Sequence, residues 1–171
     1  MVRLIEPSAE YLDSYIEAYD ENAVAGITAH RFRDARKEDV LARFDAYAHE
    51  RDLPPNRVGA HFYWLVDDAR GRFLGEISVR HRLTEALRRY AGHIGYGVRA
   101  SEQGKGYGTL MLKLALERAR ELGIKQVLIT CDDDNMASAR VIEKNGLALQ
   151  DRIVNEVDGK QIVTRRYIGQ L

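Results

Sequence analysis

The chain has 171 residues, 45 % of them apolar and 30 % charged, with 26 basic side chains balanced by 26 acidic ones. That length suits one domain, which buries roughly two thirds of its unfolded surface. The composition excludes a collagen-like repeat, a disulfide mini-scaffold and wholesale disorder. The net charge is zero, and residues 1–90 carry 14 basic and 16 acidic side chains, so neither half has the basic surplus expected of a nucleic-acid partner. The single cysteine, Cys131, forms no internal disulfide and supports no cysteine zinc cluster. The opening residues Met1-Val2-Arg3-Leu4-Ile5-Glu6 lack an apolar h-region, and no run approaches a membrane span, so a cytoplasmic protein is expected.

In chain order, Val2 to Ile5 reads as a strand stopped by Pro7. Ser8 caps a helix over Ala9–Glu21, where Tyr11, Leu12, Tyr15, Ile16 and Tyr19 recur at helical spacing. Residues 22–36 show no periodicity. A helix follows over Lys37–Arg51, with Val40, Leu41, Phe44 and Tyr47 inward. His61–Val66 and Arg72–His81 pair as a hairpin around Asp67-Asp68-Ala69-Arg70-Gly71. A connector at 82–91 holds a helical turn, and Gly92–Val98 is a strand. The next helix, Thr109–Leu122, lines one face with Leu110, Met111, Leu114, Ala115, the stem of Arg118, Ala119 and Leu122; Gly123 ends it. Lys125–Cys131 is an apolar strand, Asn135–Lys144 a helix, and Leu147–Val157 with Lys160–Ile168 a final hairpin around Asp158-Gly159. This order fits a mixed sheet with helices on both faces.

The chemistry concentrates in residues 95–109. A strand feeds the turn Gln103-Gly104-Lys105-Gly106-Tyr107-Gly108, which opens a helix. Unpaired N–H groups at a helix start, with the helix dipole behind them, attract phosphate. Gly104-Lys105 is followed by Gly106 rather than Ser or Thr, so the nucleotidase phosphate loop is excluded. A dinucleotide fingerprint needs G-x-G-x-x-G; the spacing here is G-x-G-x-G, and Asp132 lies 28 positions beyond Gly104, too far for its acidic partner. A glycine-rich turn needed only for packing remains the plain alternative.

Gln103-x-x-Gly106-x-Gly108 resembles the Q/R-x-x-G-x-G/A signature of the GNAT superfamily of N-acetyltransferases. Asn135-x-x-Ser138-x-x-Val141-Ile142-Glu143-Lys144-Asn145-Gly146 resembles the family's second motif. The match is close over residues 91–150, and His93 to Gly146 is similar to a bacterial branch of the family. The resemblance implies one domain over residues 1–171 of the α+β, three-layer α/β/α type, with parallel strands that splay apart. It implies acetyl-coenzyme A as cosubstrate, with its pyrophosphate on the backbone of Gly104, Lys105, Gly106, Tyr107, Gly108 and Thr109. Gln103 belongs to the same signature. Pantetheine would pair along Val98 and meet Asn135, near Ser138, with Lys105, Arg140 and Lys144 as phosphate partners. A strand bulge would turn an amide of Tyr96–Val98 toward the thioester oxygen.

The acceptor is expected to be a small-molecule or peptide amine, and a homodimer is common in the family. Glu76, His81 and His93 are candidate bases. Glu76 alternates with Ser78 and Arg80 on a strand face that a solvated surface would also explain. His81 lies in a basic run, Arg80-His81-Arg82, suited to an acidic substrate group. Many family members carry a Tyr proton donor where this chain has Ile142, which leaves Tyr96, Tyr107, water or the incoming ammonium to supply the proton. It also leaves open a coenzyme-binding module with little turnover, or a nucleotide-binding protein. Cys131 reads as a buried structural thiol, raised by its acidic neighbours, and Asp132-Asp133-Asp134 as helix-cap and dipole partners.

Overall fold

The structure is a computed structural model and describes residues 1–27, 36–157 and 159–171. Strand β1 (Val2–Ile5) leads through a 3-10 turn (Ala9–Tyr11) into α1 (Leu12–Val24). Then come α2 (Lys37–Ala48), β2 (Ala60–Asp67), β3 (Arg72–Arg80), α3 (Glu85–Tyr90) and β4 (Ile94–Val98). A 3-10 turn at Ala100–Glu102 precedes α4 (Tyr107–Glu121), β5 (Gln126–Asp132), α5 (Met136–Lys144) and the hairpin β6 (Ala148–Val157) and β7 (Lys160–Gln170). Asp158 of the expected Asp158-Gly159 turn, and residues 28–35 of the aperiodic stretch, lie outside the described residues.

The seven strands run in the order β1-β2-β3-β4-β5-β7-β6. Every neighbouring pair is antiparallel except β4 with β5. One face carries α4 and α5, whose Met111, Leu112, Ala115, Ala119, Ala139 and Ile142 pack on Leu65, Ile77, Val79, Ile94 and Ile129. The other carries α1 and α2, whose Tyr15, Ala18, Val40 and Phe44 pack on Ala60, Phe62, Trp64 and Phe73. Strand alternation splits the apolar side chains of β2 and β3 between these two cores. The result is the expected three-layer α/β/α architecture.

The differences from the sequence reading have local causes. Helix α1 continues to Val24, past Glu21, and Asn22 is wholly buried because its side-chain carbonyl accepts the Ala100 N–H at 2.7 Å. Helix α2 stops at Ala48, short of Arg51; beyond it Glu50 and Asp52 take left-handed backbone (φ 53° and 50°). Helix α4 begins two residues before Thr109 because Gly106, at φ 83°, serves as its N-cap. Leu112 is buried there, whereas Leu122 is the partly exposed C-cap. Asn135, not an aspartate, caps α5, its side chain accepting the Ser138 N–H. Asp133 instead accepts from Arg152 and Arg165.

Candidate active site

Strands β4 and β5 touch at a single register pair, Ile94 with Ile129, and then part. The β3–β4 ladder stays regular from Val79–Ile94 to Gly75–Val98, and the Arg99 N–H continues it to the Leu74 carbonyl. Antiparallel alternation therefore turns the amides of Tyr96 and Val98 away from β3, toward the gap left by β5. No bulge interrupts β4; the irregularities lie at Leu65/Val66 and Leu149/Asp151. The parting of the strands alone exposes the amides that the sequence reading assigned to a bulge.

The gap opens into a cleft of about 610 Å³. Ten of the sequence-derived cofactor residues line it: Val98, Gln103, Gly104, Gly106, Tyr107, Gly108, Thr109, Asn135, Ser138 and Lys144. Tyr96 lines it too; Lys105 and Arg140 do not. The first intrahelical bond of α4 runs from the Leu110 N–H to the Gly106 carbonyl. The N–H groups of Tyr107, Gly108 and Thr109 thus have no partner within the helix. Among the described residues no side chain caps this end, and the first turn holds no acid to offset its positive pole. Gly104 and Gly106 take φ of 75° and 83°, backbone that L side chains resist. Among the described residues no carboxylate pairs with Lys144, so the cleft carries a cation for phosphate oxygens.

Polar residues that the sequence reading missed hold this loop. Arg99 is 4 % exposed and donates to Glu21 at 2.6 Å, and the Ser101 amide donates to the same carboxylate at 2.6 Å. Glu102 is 2 % exposed and accepts from Arg70 (2.9 Å), Arg72 (3.0 Å) and Lys105 (2.9 Å). The Lys105 side chain is thereby committed to Glu102, and its backbone is what remains for a phosphate. Nothing in the sequence marks these residues, because charged side chains near a turn read as solvated.

Burial acts to raise the Glu21 pKa, but the Ser101 hydroxyl and amide and the Arg99 guanidinium outweigh it and hold the carboxyl at about 2. Its folded pKa lies below its unfolded value near 4.5, so its stabilisation is complete above about pH 4.5 and is lost as pH falls toward 2. Glu21→Gln is expected to cost about 2 kcal/mol at pH 7. It should also flatten the stability curve between pH 4.5 and 2, as read by urea unfolding across pH.

The candidate bases fall in three places. Glu76, 4 % exposed, accepts from the Trp64 indole at 3.3 Å and pairs across the ladder with Gly97. It sits on the α1/α2 face of the sheet opposite Gly97 of the cleft wall, does not itself line the cleft, and its strand face is buried rather than solvated. His93 lies at the root of the gap: its Nδ1 accepts the Leu128 N–H at 3.0 Å while its own N–H donates to the Leu128 carbonyl at 2.7 Å. His81 is remote from the cleft, hydrogen-bonded to His61 (2.8 Å) and Glu50 (3.1 Å). The Tyr96 hydroxyl meets the Ser138 hydroxyl at 2.7 Å inside the cleft, and burial pushes the phenol up to about 12. Cys131 is buried and its thiol is raised, first by burial. Among the described residues no His/Cys/Asp/Glu group could hold a metal ion, and no helix is long and apolar enough to cross a membrane.

A sheet parted at its one parallel junction, with an uncapped helix N-terminus and flexible glycines at its mouth, defines a coenzyme-binding acyltransferase fold. The chain belongs to the GNAT acetyltransferase family, whose domain profile, "Acetyltransferase (GNAT) domain", matches residues 2–148. Solved structures share the fold at low identity. The ribosomal-protein-S5-alanine acetyltransferase from Vibrio fischeri superposes with a TM-score of 0.71 at 18 % identity, over 99 % of this chain and 91 % of that one. The ribosomal L7/L12 α-N-protein acetyltransferase RimL, in complex with coenzyme A, gives 0.71 at 19 %, over 99 % and 94 %. The Microcin C7 self-immunity acetyltransferase MccE, in complex with acetyl-CoA and AMP, gives 0.70 at 17 %, over 99 % and 92 %. No curated protein sequence matches the chain.

Proposed function

We propose that this chain transfers the acetyl group of acetyl-coenzyme A to a primary amine by direct attack on the thioester. The observation that carries this is the uncapped start of α4 opening into the gap between β4 and β5. The row of N–H groups from Gly106 to Thr109 suits the coenzyme's pyrophosphate, with Lys144 adding a charge. The edge of β4 at Val98 suits the pantetheine amides, which pair as an added strand does. The structural neighbours supply the donor by analogy, since two of them hold coenzyme A or its acetyl ester.

In the reaction the amine nitrogen bonds to the thioester carbon, a tetrahedral oxyanion forms, and the carbon–sulfur bond breaks to release coenzyme A thiol. The Tyr96 or Val98 amide, facing the gap, is placed to donate to that oxyanion. The amine must first be neutral. Deprotonating a lysine-like amine at pH 7 costs about 4–5 kcal/mol, whereas an α-amine costs about 1 kcal/mol. Glu76, across the ladder from Gly97, serves as the base through one water. The proton it accepts returns to solvent. Tyr96 and Ser138 replace the donor missing at Ile142: their linked hydroxyls hydrogen-bond the departing thiolate and relay to it the second proton, which the attacking nitrogen sheds as the intermediate collapses to the amide.

The test is thiol release from acetyl-coenzyme A across a panel of amines. Glu76→Gln should lower kcat about a hundredfold and remove the acidic limb of the pH profile. Tyr96→Phe should lower kcat about tenfold with little change in the KM for acetyl-coenzyme A. Tight coenzyme A binding with no thiol release for any acceptor would instead support the second reading, a binding module, which Ile142 motivates.

A further inference from the structure

Two helices wall the cleft, and one side chain outside it ties them together. The start of α4 presents Gly106, Tyr107, Gly108 and Thr109; α5 presents Ser138, Val141 and Lys144. Asn145, the C-cap of α5, is half-buried and does not line the cleft. Its side-chain nitrogen donates to the Val141 carbonyl at 2.8 Å and to the Thr109 carbonyl at 3.2 Å. One acceptor lies on each wall. Both are carbonyl oxygens, which only accept, so it is the amide nitrogen with its two N–H groups that faces them.

The end of α5 explains this posture. The backbone N–H of Asn145 turns to the Ile142 and Glu143 carbonyls. The Val141 carbonyl, one of the groups that a helix end leaves without a regular partner, is met by the Asn145 side chain instead.

On the α4 side the tie reaches the anion site through the backbone. The Thr109 carbonyl shares a peptide unit with the Leu110 N–H, which donates to the Gly106 carbonyl at 3.1 Å. The Gly106 carbonyl in turn shares a peptide unit with the Tyr107 N–H, one of the donors without a partner in the helix. A trans peptide is planar, and its C=O and N–H point opposite ways, so fixing one fixes the other. The orientation set at Asn145 therefore passes through two peptide units to the mouth of the cleft. Gly106, with no side chain and φ of 83°, is the residue there least held by its own sterics, which gives a tie from behind something to do.

We infer that Asn145 is a positioning residue for the diphosphate site: through the Thr109 and Gly106 carbonyls it holds the Tyr107 N–H, and it fixes the first turn of α4 against the α5 wall that carries Lys144. This rests on the coenzyme-binding reading above. Asn145 itself does not touch the ligand. Its loss is felt by ligands that carry the diphosphate, and not by the pantetheine arm, which pairs with β4.

The experiment measures coenzyme A affinity by calorimetric titration, and kcat and KM for two donors, acetyl-coenzyme A and acetyl-pantetheine, which lacks the diphosphate. Asn145→Asp keeps the shape and replaces the donors by acceptors; Asn145→Ala removes both bonds without adding charge. Coenzyme A affinity is expected to fall about tenfold in the first and about fivefold in the second. The KM for acetyl-coenzyme A should rise with kcat kept within about twofold, and kcat/KM for acetyl-pantetheine should hold within about twofold. Thr84→Ala is the control. It removes the hydroxyl that accepts the Leu87 N–H at 3.2 Å, at the start of α3, and should lower the urea midpoint comparably while leaving both donors unaffected. Affinity within twofold of the parent protein in both Asn145 variants overturns the inference and leaves the coenzyme reading standing. An equal loss for the two donors does the same, since it marks a general loosening of the fold. If one variant fails to fold the other decides, and failure of both makes the role structural and overturns the inference. If the parent protein turns over neither donor, the titration alone decides. If the parent protein does not bind coenzyme A, the coenzyme reading falls and takes the inference with it.

Discussion

Replacing Gly106 by Asp is expected to weaken coenzyme A binding at least a hundredfold, about 2.7 kcal/mol, in a protein that still folds. Two effects add. Gly106 is the N-cap of α4 at φ 83°, and a side chain there strains the backbone by about 1–2 kcal/mol, which tends to rotate the donors of Tyr107 and Gly108. A carboxylate at this end also neutralises the helix pole and repels the diphosphate directly. There is room for the new side chain, since nothing lies within 4 Å of its Cβ, so gross misfolding is not the expected outcome. Gly108→Asp should act differently. Its Cβ would stand 3.4 Å from Val141 Cγ2 and 3.7 Å from Val98 Cγ2, filling the cleft between β4 and α5.

The control is Gly123→Asp, just beyond the other end of α4, where φ is 79° and nothing lies within 4 Å. It imposes comparable backbone strain on the same helix and leaves coenzyme affinity unchanged. Calorimetric titration of coenzyme A, with circular dichroism to check folding, separates the three variants. Affinity within threefold of the parent protein for Gly106→Asp would remove the anion site from the account.

The contrast between Gly106 and Glu102 shows what the sequence could reveal. A glycine with positive φ at a helix start leaves a residue-type signature, and the spacing Gln103-x-x-Gly106-x-Gly108 carried it into the sequence reading together with Asn135 and Ser138. Glu102, Glu21 and Arg99 left no such mark. Each is an ordinary surface residue type, and its burial depends on a partner up to 85 positions away, as with Arg99 and Ser14. The β3 alternation Glu76-x-Ser78-x-Arg80 was legible as a two-sided strand. What covered the polar side was not, because α1 brings Tyr15 over it, stacked on Trp64 of the neighbouring strand, through long-range packing. The start of α4 was misplaced for a related reason: Tyr107 and Gly108 are poor helix formers, and only the left-handed cap at Gly106 shows that they belong to the first turn. Splaying, too, is a property of pairs of strands. The segments of β4 and β5 were each visible, but their single shared register pair was not.

His93 gives the sharpest test of that geometry, because its two readings predict opposite results. As a general base it would titrate with activity. As built, it clamps the root of the cleft: its ring and its backbone hold both polar groups of Leu128, just before β4 and β5 part. The clamp needs a neutral ring, since Nδ1 must accept a hydrogen bond. Burial, and then the nearby Arg88, lower its pKa to about 4, below the usual 6.5. The folded pKa lies below the unfolded one, so this stabilisation is complete above about pH 6.5 and is lost as pH falls toward 4. Discounted for the solvent that reaches the half-buried ring, it amounts to about 2 kcal/mol.

His93→Ala is therefore expected to lose about 2 kcal/mol at pH 7.5, by leaving the Leu128 N–H without its acceptor. It should also lose the stability slope between pH 6.5 and 4. His93→Gln, whose amide oxygen can accept the same bond, should recover part of the stability without restoring the slope. Since the clamp sets where the strands separate, coenzyme A affinity of the parent protein should decline together with stability over that pH range. Urea unfolding and coenzyme titration at matched pH values measure both. If His93→Ala keeps its stability at every pH yet abolishes thiol release at pH 8, His93 acts on the substrate and the clamp is not its role.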